Sequence, residues 1–289
     1  MKAGFIGLGH LGRAMAKRLA SQGVDLTLWN RSPEKASLLA RELGLPVAES
    51  PAALAEMTEV IFLNLFDSEA VRSVLQGRDG LFQADLQGKL VIDTTTNHFQ
   101  DAADFHRLLS SHGAGYLEAP VLGSVVPASQ GRLTVLASGE REVYDRALPY
   151  LEKLAGNIFY LGEPGQATRM KLVNNLILGS FMAAIAEAVV LGEAAGMEKS
   201  TVLDILAAGA GASSVLNAKR DKLLGEDFSA QFQSALIYKD LHYLQDLAFR
   251  LKKPLFLASA VKEMYGLTYS RGEEKLDFSA LYRALKEGL

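Results

Sequence analysis

Two hydropathy rhythms divide the chain. Short apolar runs of the strand type recur early, at Gly4-Phe5-Ile6, Asp25–Trp29, Val60–Asn64, Leu90–Asp93, Gly115–Glu118, Leu133–Ala137 and Asn157–Leu161. Helix-period segments separate most of them, among them Arg13–Leu19, Pro33–Leu43 and Gln100–His112. Strands alternating with helices predict an α/β domain with a mainly parallel, doubly wound sheet covered on both faces. After Gly162-Glu163-Pro164-Gly165 the strand signals stop. From Gln166 the pattern is helical: one long element to about Ala195, then Lys199–Ala208, Ser214–Leu224, and a run from Ala235 to Phe249 with more beyond. Residues 1–163 are therefore expected to form a sheet domain and 164–289 an all-α domain.

The long helix would extend about 45 Å at ~1.5 Å per residue, so it is read as a spine joining the two domains. Its small residues, Gly179, Ser180, Ala183, Ala184, Ala186 and Ala188, favour close helix packing and a self-association surface, hence a homodimer or homotetramer. Leu172–Gly192 is nearly long enough to cross a bilayer, but Asn174, Asn175 and Glu187 are costly in hydrocarbon. A helix buried inside a water-soluble domain is the expected explanation.

The first strand runs into Gly7-Leu8-Gly9-His10-Leu11-Gly12 and then a helix. Strand, GxGxxG turn and helix in that order form the context of a Rossmann-type dinucleotide site. Gly7 permits the tight turn, Gly9 admits a pyrophosphate to the backbone, and Gly12 lets helix and strand approach. His10 and Leu11 complete the turn beside the cofactor, with the pyrophosphate on the positive end of the helix dipole. In NAD-binding relatives of this fold an acidic residue near the end of the second strand bonds the ribose 2′-hydroxyl. Here that strand ends Trp29-Asn30-Arg31-Ser32. A carboxylate would repel a 2′-phosphate, whereas Arg31 can clamp one, with Asn30 and Ser32 adding hydrogen bonds. NADP(H) is the expected cofactor.

Composition narrows the function classes. A net charge of −3 leaves no basic excess for general nucleic-acid binding. The absence of cysteine excludes disulfides and thiolate–metal sites, and five scattered histidines without an HxxxH pair point away from a metal centre. Because the N-terminus enters a strand at once, a cleavable signal has no room, and a cytoplasmic, non-membrane protein is expected.

The spine helix opens Arg169-Met170-Lys171-Leu172-Val173-Asn174-Asn175. Lys171 and Asn175 are four apart and share a face, so a lysine proton donor and an orienting amide can address one oxygen in a cleft at the domain junction. Asp93-Thr94-Thr95-Thr96 ends a strand at the carboxyl edge of the sheet, where doubly wound folds bind ligands. Glu118-Ala119-Pro120-Val121-Leu122-Gly123-Ser124 ends another in a glycine turn whose N–H groups suit a carboxylate. Lys239-Asp240, inside a helical run, offers a second positive charge.

Taken together, GLGxxG, the Asp-x-Thr-Thr strand end, the Ala-Pro-Val turn, the helical KxxxN and the late Lys-Asp resemble the β-hydroxyacid dehydrogenases over essentially the full chain. That family includes 3-hydroxyisobutyrate dehydrogenases, tartronate semialdehyde reductases and glyoxylate/succinic semialdehyde reductases. The resemblance implies that Lys171 is the catalytic lysine and Asn175 its partner. It places Thr96 by the nicotinamide and substrate, Lys239 at the cofactor or substrate, and Leu65 along the cofactor. The glycine turn after Ala119-Pro120-Val121, with Gly123 and Ser124, would hold the substrate carboxylate, and Leu122 would line the substrate site. Gly123–Leu133 looks most like the glyoxylate/succinic semialdehyde reductase branch, which prefers NADPH. The expected activity is reduction of short aldehyde or keto acids. One departure stands out: the family usually has serine where this chain has Leu122. That departure keeps open an imine reductase or a dehydrogenase of a non-acid alcohol, although imine reductases usually lack the lysine. A non-catalytic NADPH-binding protein is a further alternative.

Overall fold

The computed structural model describes residues 2–288. They fall into two compact units, one through Lys171 and one from Leu172. In chain order the first contains β1 (Lys2–Ile6), α1 (His10–Ser21), β2 (Asp25–Trp29), α2 (Pro33–Leu43), α3 (Pro51–Met57), β3 (Val60–Leu63), α4 (Ser68–Gln76), β4 (Leu90–Asp93), α5 (Phe99–Ser111), β5 (Gly115–Glu118), β6 (Val121–Leu122), α6 (Val125–Gln130), β7 (Leu133–Ala137), α7 (Arg141–Leu154) and β8 (Ala155–Tyr160). The long α8 (Gln166–Ala194) follows. The second unit adds α9 (Lys199–Ala208), α10 (Ser214–Gly225), α11 (Ser234–Arg250), α12 (Phe256–Ser270) and α13 (Leu281–Glu287).

Five parallel strands form the main sheet in the order β2-β1-β3-β4-β5. Its strands are apolar at nearly every position because both faces are covered. Phe5, Phe62 and Ile92 pack into one core, while their neighbours Ile6, Ile61 and Val91 pack into the other. The order reverses on either side of β1, so the carboxyl ends of β1 and β3 flank a switch point, where open α/β sheets take ligands. A second sheet, β6-β7-β8, holds the one antiparallel pair among the named strands: β6 runs antiparallel to β7, with Leu122 opposite Thr134. A two-residue strand is too short to show an alternation in sequence.

In the second unit α11 packs against α12 and α12 against α13, burying Tyr265 and Tyr282 completely. Gly179 of α8 lets Ile237 and Leu241 of α11 come close; a Cβ there would lie 3.3 Å from Ile237. By length and composition α8 is apolar enough to cross a membrane, and half of its most apolar window is buried. Asn175 and Ser180 are also buried within it, as befits a core helix. The compact units part inside α8, whose first turn is bonded to the end of β5.

Candidate active site

The glycine turn is shaped by contacts that differ at each glycine. Gly7 adopts φ 99°, and a Cβ there would lie 2.2 Å from the Asn64 carbonyl oxygen and against Leu65. At Gly12 a Cβ would lie 2.0 Å from the Gly7 carbonyl oxygen, so only glycine lets α1 sit this close to the turn. Gly9 is different. Its backbone is extended (φ −68°, ψ −173°), which any residue adopts, and no atom lies within 4 Å of the place its Cβ would take. Nothing in the protein requires glycine there, whereas a pyrophosphate drawn to the backbone does. Gly9 caps α1, whose first turn carries no acidic residue, so its N–H groups and dipole suit an anion. The residues fit a dinucleotide.

His10 is exposed and Leu11 half-buried at the start of α1. Asn30 shapes the turn: its Oδ1 accepts from the Leu8 N–H at 2.8 Å and its Nδ2 donates to the Ser32 carbonyl at 3.0 Å. Arg31 and Ser32 are exposed just beyond, with the Ser32 hydroxyl not used to cap α2.

The ends of β3 and β4 are laced together. Asn64 donates to Thr94 at 2.9 Å, and the Leu65 N–H donates to Thr95 Oγ1 at 3.0 Å. Asp93, fully buried, accepts from the Thr95 N–H, the Asn97 amide and the Tyr116 hydroxyl. Burial pushes its carboxyl up, against the pull of those bonds. Thr96 is half-buried between buried Thr95 and Asn97. Leu122 is half-buried in β6, Gly123 is exposed with φ 111°, and Ser124 precedes α6.

On α8, Lys171 is 7% exposed and Asn175 is wholly buried. Asn175 Oδ1 accepts from Asn174, and its Nδ2 donates to Asp240 Oδ2 at 2.6 Å. The other oxygen of Asp240 meets Lys239 Nζ at 2.8 Å, and that ammonium also stands 4.6 Å from the Tyr243 ring. Asp240 is 2% exposed, and its carboxylate joins Asn175 to Lys239. Asp240 is the residue that sequence reasoning passed over. Its signal was the aspartate beside a chosen lysine, on the apolar face of α11 between Ile237 and Leu244. Among the described residues no group of three or more His, Asp or Glu side chains is arranged to hold a metal ion.

Two family models cover nearly the whole chain. One, described as the NAD-binding domain of 6-phosphogluconate dehydrogenase, matches residues 2–162. The other, described as the NAD-binding region of NADP-dependent 3-hydroxyisobutyrate dehydrogenase, matches residues 165–285. The chain belongs to the β-hydroxyacid dehydrogenase family. Glyoxylate/succinic semialdehyde reductase 1 of Arabidopsis thaliana is 32% identical, covering 99% of each chain. A solved 3-hydroxyisobutyrate dehydrogenase from Salmonella typhimurium superposes with a TM-score of 0.91 at 28% identity, over 98% of this chain and 99% of that one. Cytokine-like nuclear factor N-PAC of Xenopus tropicalis is 34% identical over 98% of this chain, which spans 53% of that protein. The chain is thus about half the length of those nuclear-factor relatives.

Proposed function

We propose that this β-hydroxyacid dehydrogenase family member is an NADPH-dependent reductase of short aldehyde or keto acids. The observation that carries the reading is the buried Lys171 on one helical face with Asn175, whose amide is fixed by the buried Asp240 carboxylate. Gly7, Gly9 and Gly12 would hold the pyrophosphate and Arg31 the 2′-phosphate; NADPH, when bound, supplies the hydride. Lys171 donates a proton to the carbonyl oxygen of the substrate. An amide carries two N–H groups, and Asp240 takes one from Asn175, which leaves the other to orient that oxygen. Lys239 is paired with Asp240, so the two charges offset each other next to Asn175.

The backbone N–H groups of Gly123 and Ser124 are assigned to the substrate carboxylate. Leu122 cannot add the hydroxyl that serine brings, a bond worth about 1.5–3 kcal/mol to a charged acceptor. Leu122→Ser is therefore expected to lower KM for small aldehyde acids, and an unchanged or raised KM would count against this geometry.

The test is NADPH consumption with succinic semialdehyde, glyoxylate, tartronate semialdehyde, an uncharged aldehyde and a cyclic imine. Turnover of the aldehyde acids alone supports the proposal. Leu122 favours a second reading, reduction of an uncharged carbonyl or imine, and turnover of those substrates alone would establish it. NADPH binding with no turnover of any of these substrates would overturn both readings.

Met170, Val173, Ile177 and Phe181 form an exposed apolar stripe along α8 at helical spacing. We assign it to self-association in a homodimer, and a monomeric mass by light scattering at micromolar concentration would remove that assignment.

A further inference from the structure

We propose that Glu118, at the end of β5, is the positioning residue that sets the rotation of α8 and so the place of Lys171; this rests on the reading of Lys171 as proton donor. The first N–H groups of a helix lack partners within it and usually find a cap in a neighbouring Ser, Thr, Asp or Asn. Helix α8 finds its caps elsewhere, in the sheet domain. Glu118 Oε1 accepts from the Gly165 N–H and meets His106 Nε2 at 2.8 Å. Its Oε2 accepts from the Thr168 N–H at 3.1 Å and from the Thr168 hydroxyl. Ser138 Oγ accepts from the Ala167 N–H at 3.1 Å. Glu118 and Ser138 are themselves locked in a two-bond antiparallel bridge, at 3.1 and 3.0 Å. One bridge of the sheet therefore satisfies three N–H groups in this turn.

Capping alone does not need this arrangement. A local serine would serve without taking a carboxylate out of water, and Glu118 is 1% exposed. What a distant, rigid carboxylate adds is orientation. Thr168 and Lys171 are three apart and lie on one helical face, so two bonds to Thr168 fix the azimuth at which Lys171 leaves the helix. Burial alone would raise the Glu118 carboxyl, but His106, Thr168 and the Gly165 N–H outweigh it and hold the group below its usual value. The anchor therefore stays ionised at neutral pH.

Glu118→Gln keeps the shape and removes the charge and one strong acceptor. The test compares kcat, NADPH stoichiometry and Kd from quenching of Trp29, the single tryptophan. A misplaced donor lowers kcat by about 10–100-fold while NADPH sites and Kd stay as they were. Thr168→Val, which deletes one bond, lowers kcat less, and Thr168→Ser restores it. In a Lys171→Ala background, Glu118→Gln adds no further loss. Three results would overturn the proposal: kcat unchanged, kcat falling in step with the number of NADPH sites, or an equal loss with and without Lys171. Should Glu118→Gln fail to fold, the Thr168 pair reads the same effect, and no difference between Val and Ser would equally overturn it. Full turnover by Lys171→Ala would instead remove the assignment of the proton donor, a separate failure.

Discussion

Lys171→Ala is expected to lose turnover by about 10³-fold while binding NADPH as before, since a positioned proton donor contributes roughly 10²–10⁴-fold. Lys171 sits in the second turn of α8, almost wholly buried, and the groups shaping the glycine turn, Asn30, Asn64 and Leu65, belong to other elements. Removing its amine therefore affects the reacting oxygen without touching the dinucleotide site. Lys171→Met, which keeps much of the stem, separates lost chemistry from lost packing: both variants should be equally impaired. Lys239 cannot substitute, because its ammonium is paired with the buried Asp240. Residual turnover above a tenth of the original would mean that the proton comes from another group. Quenching of Trp29 checks that NADPH still binds; a parallel loss of binding would make Lys171 part of the cofactor site instead.

The regions that the sequence made legible are those governed by local periodicity. The ends of α2 and α9 follow from it residue by residue, because Pro at the first position starts one and glycine follows both. The parallel strands were visible because burial on both faces makes each a continuous apolar run, as in Val60–Leu63. β6 was not, since two residues cannot show a period and its pairing with β7 depends on a turn through Gly123 and α6. The site divides in the same way. Gly7, Gly12, Lys171 and Asn175 stand at spacings with a geometric meaning within one turn or one helix. Asp240 and Glu118 act across long separations: Asp240 reaches Asn175 from 65 residues away, and Glu118 reaches Thr168 across 50. No spacing rule encodes such contacts; they exist because the fold brings a strand end or a helix face to a particular place. Asn30 shows the intermediate case, a residue chosen for the cofactor whose amide is engaged in holding Leu8 and Ser32.

Arg31→Ala is expected to weaken NADPH by about 10–100-fold and to leave NADH nearly unchanged, because a hydrogen bond to a charged partner contributes roughly 1.5–3 kcal/mol. The parallel register sets Trp29 beside Ile6, so the residues after β2 emerge next to the glycine turn. Asn30 faces inward and braces that turn, which leaves exposed Arg31 and Ser32 as the side chains that follow it. Neither is acidic, so a 2′-phosphate meets no repulsion there, and a guanidinium offers it a planar pair of donors. Arg31→Asp goes further: a carboxylate at this position repels the phosphate and accepts from a ribose 2′-hydroxyl, so the preference should invert toward NADH. Titrating both cofactors against Trp29 fluorescence in the three proteins gives the ratio directly. A ratio that stays constant across them would mean that Arg31 is an ordinary surface arginine and that the 2′-phosphate is held by another group.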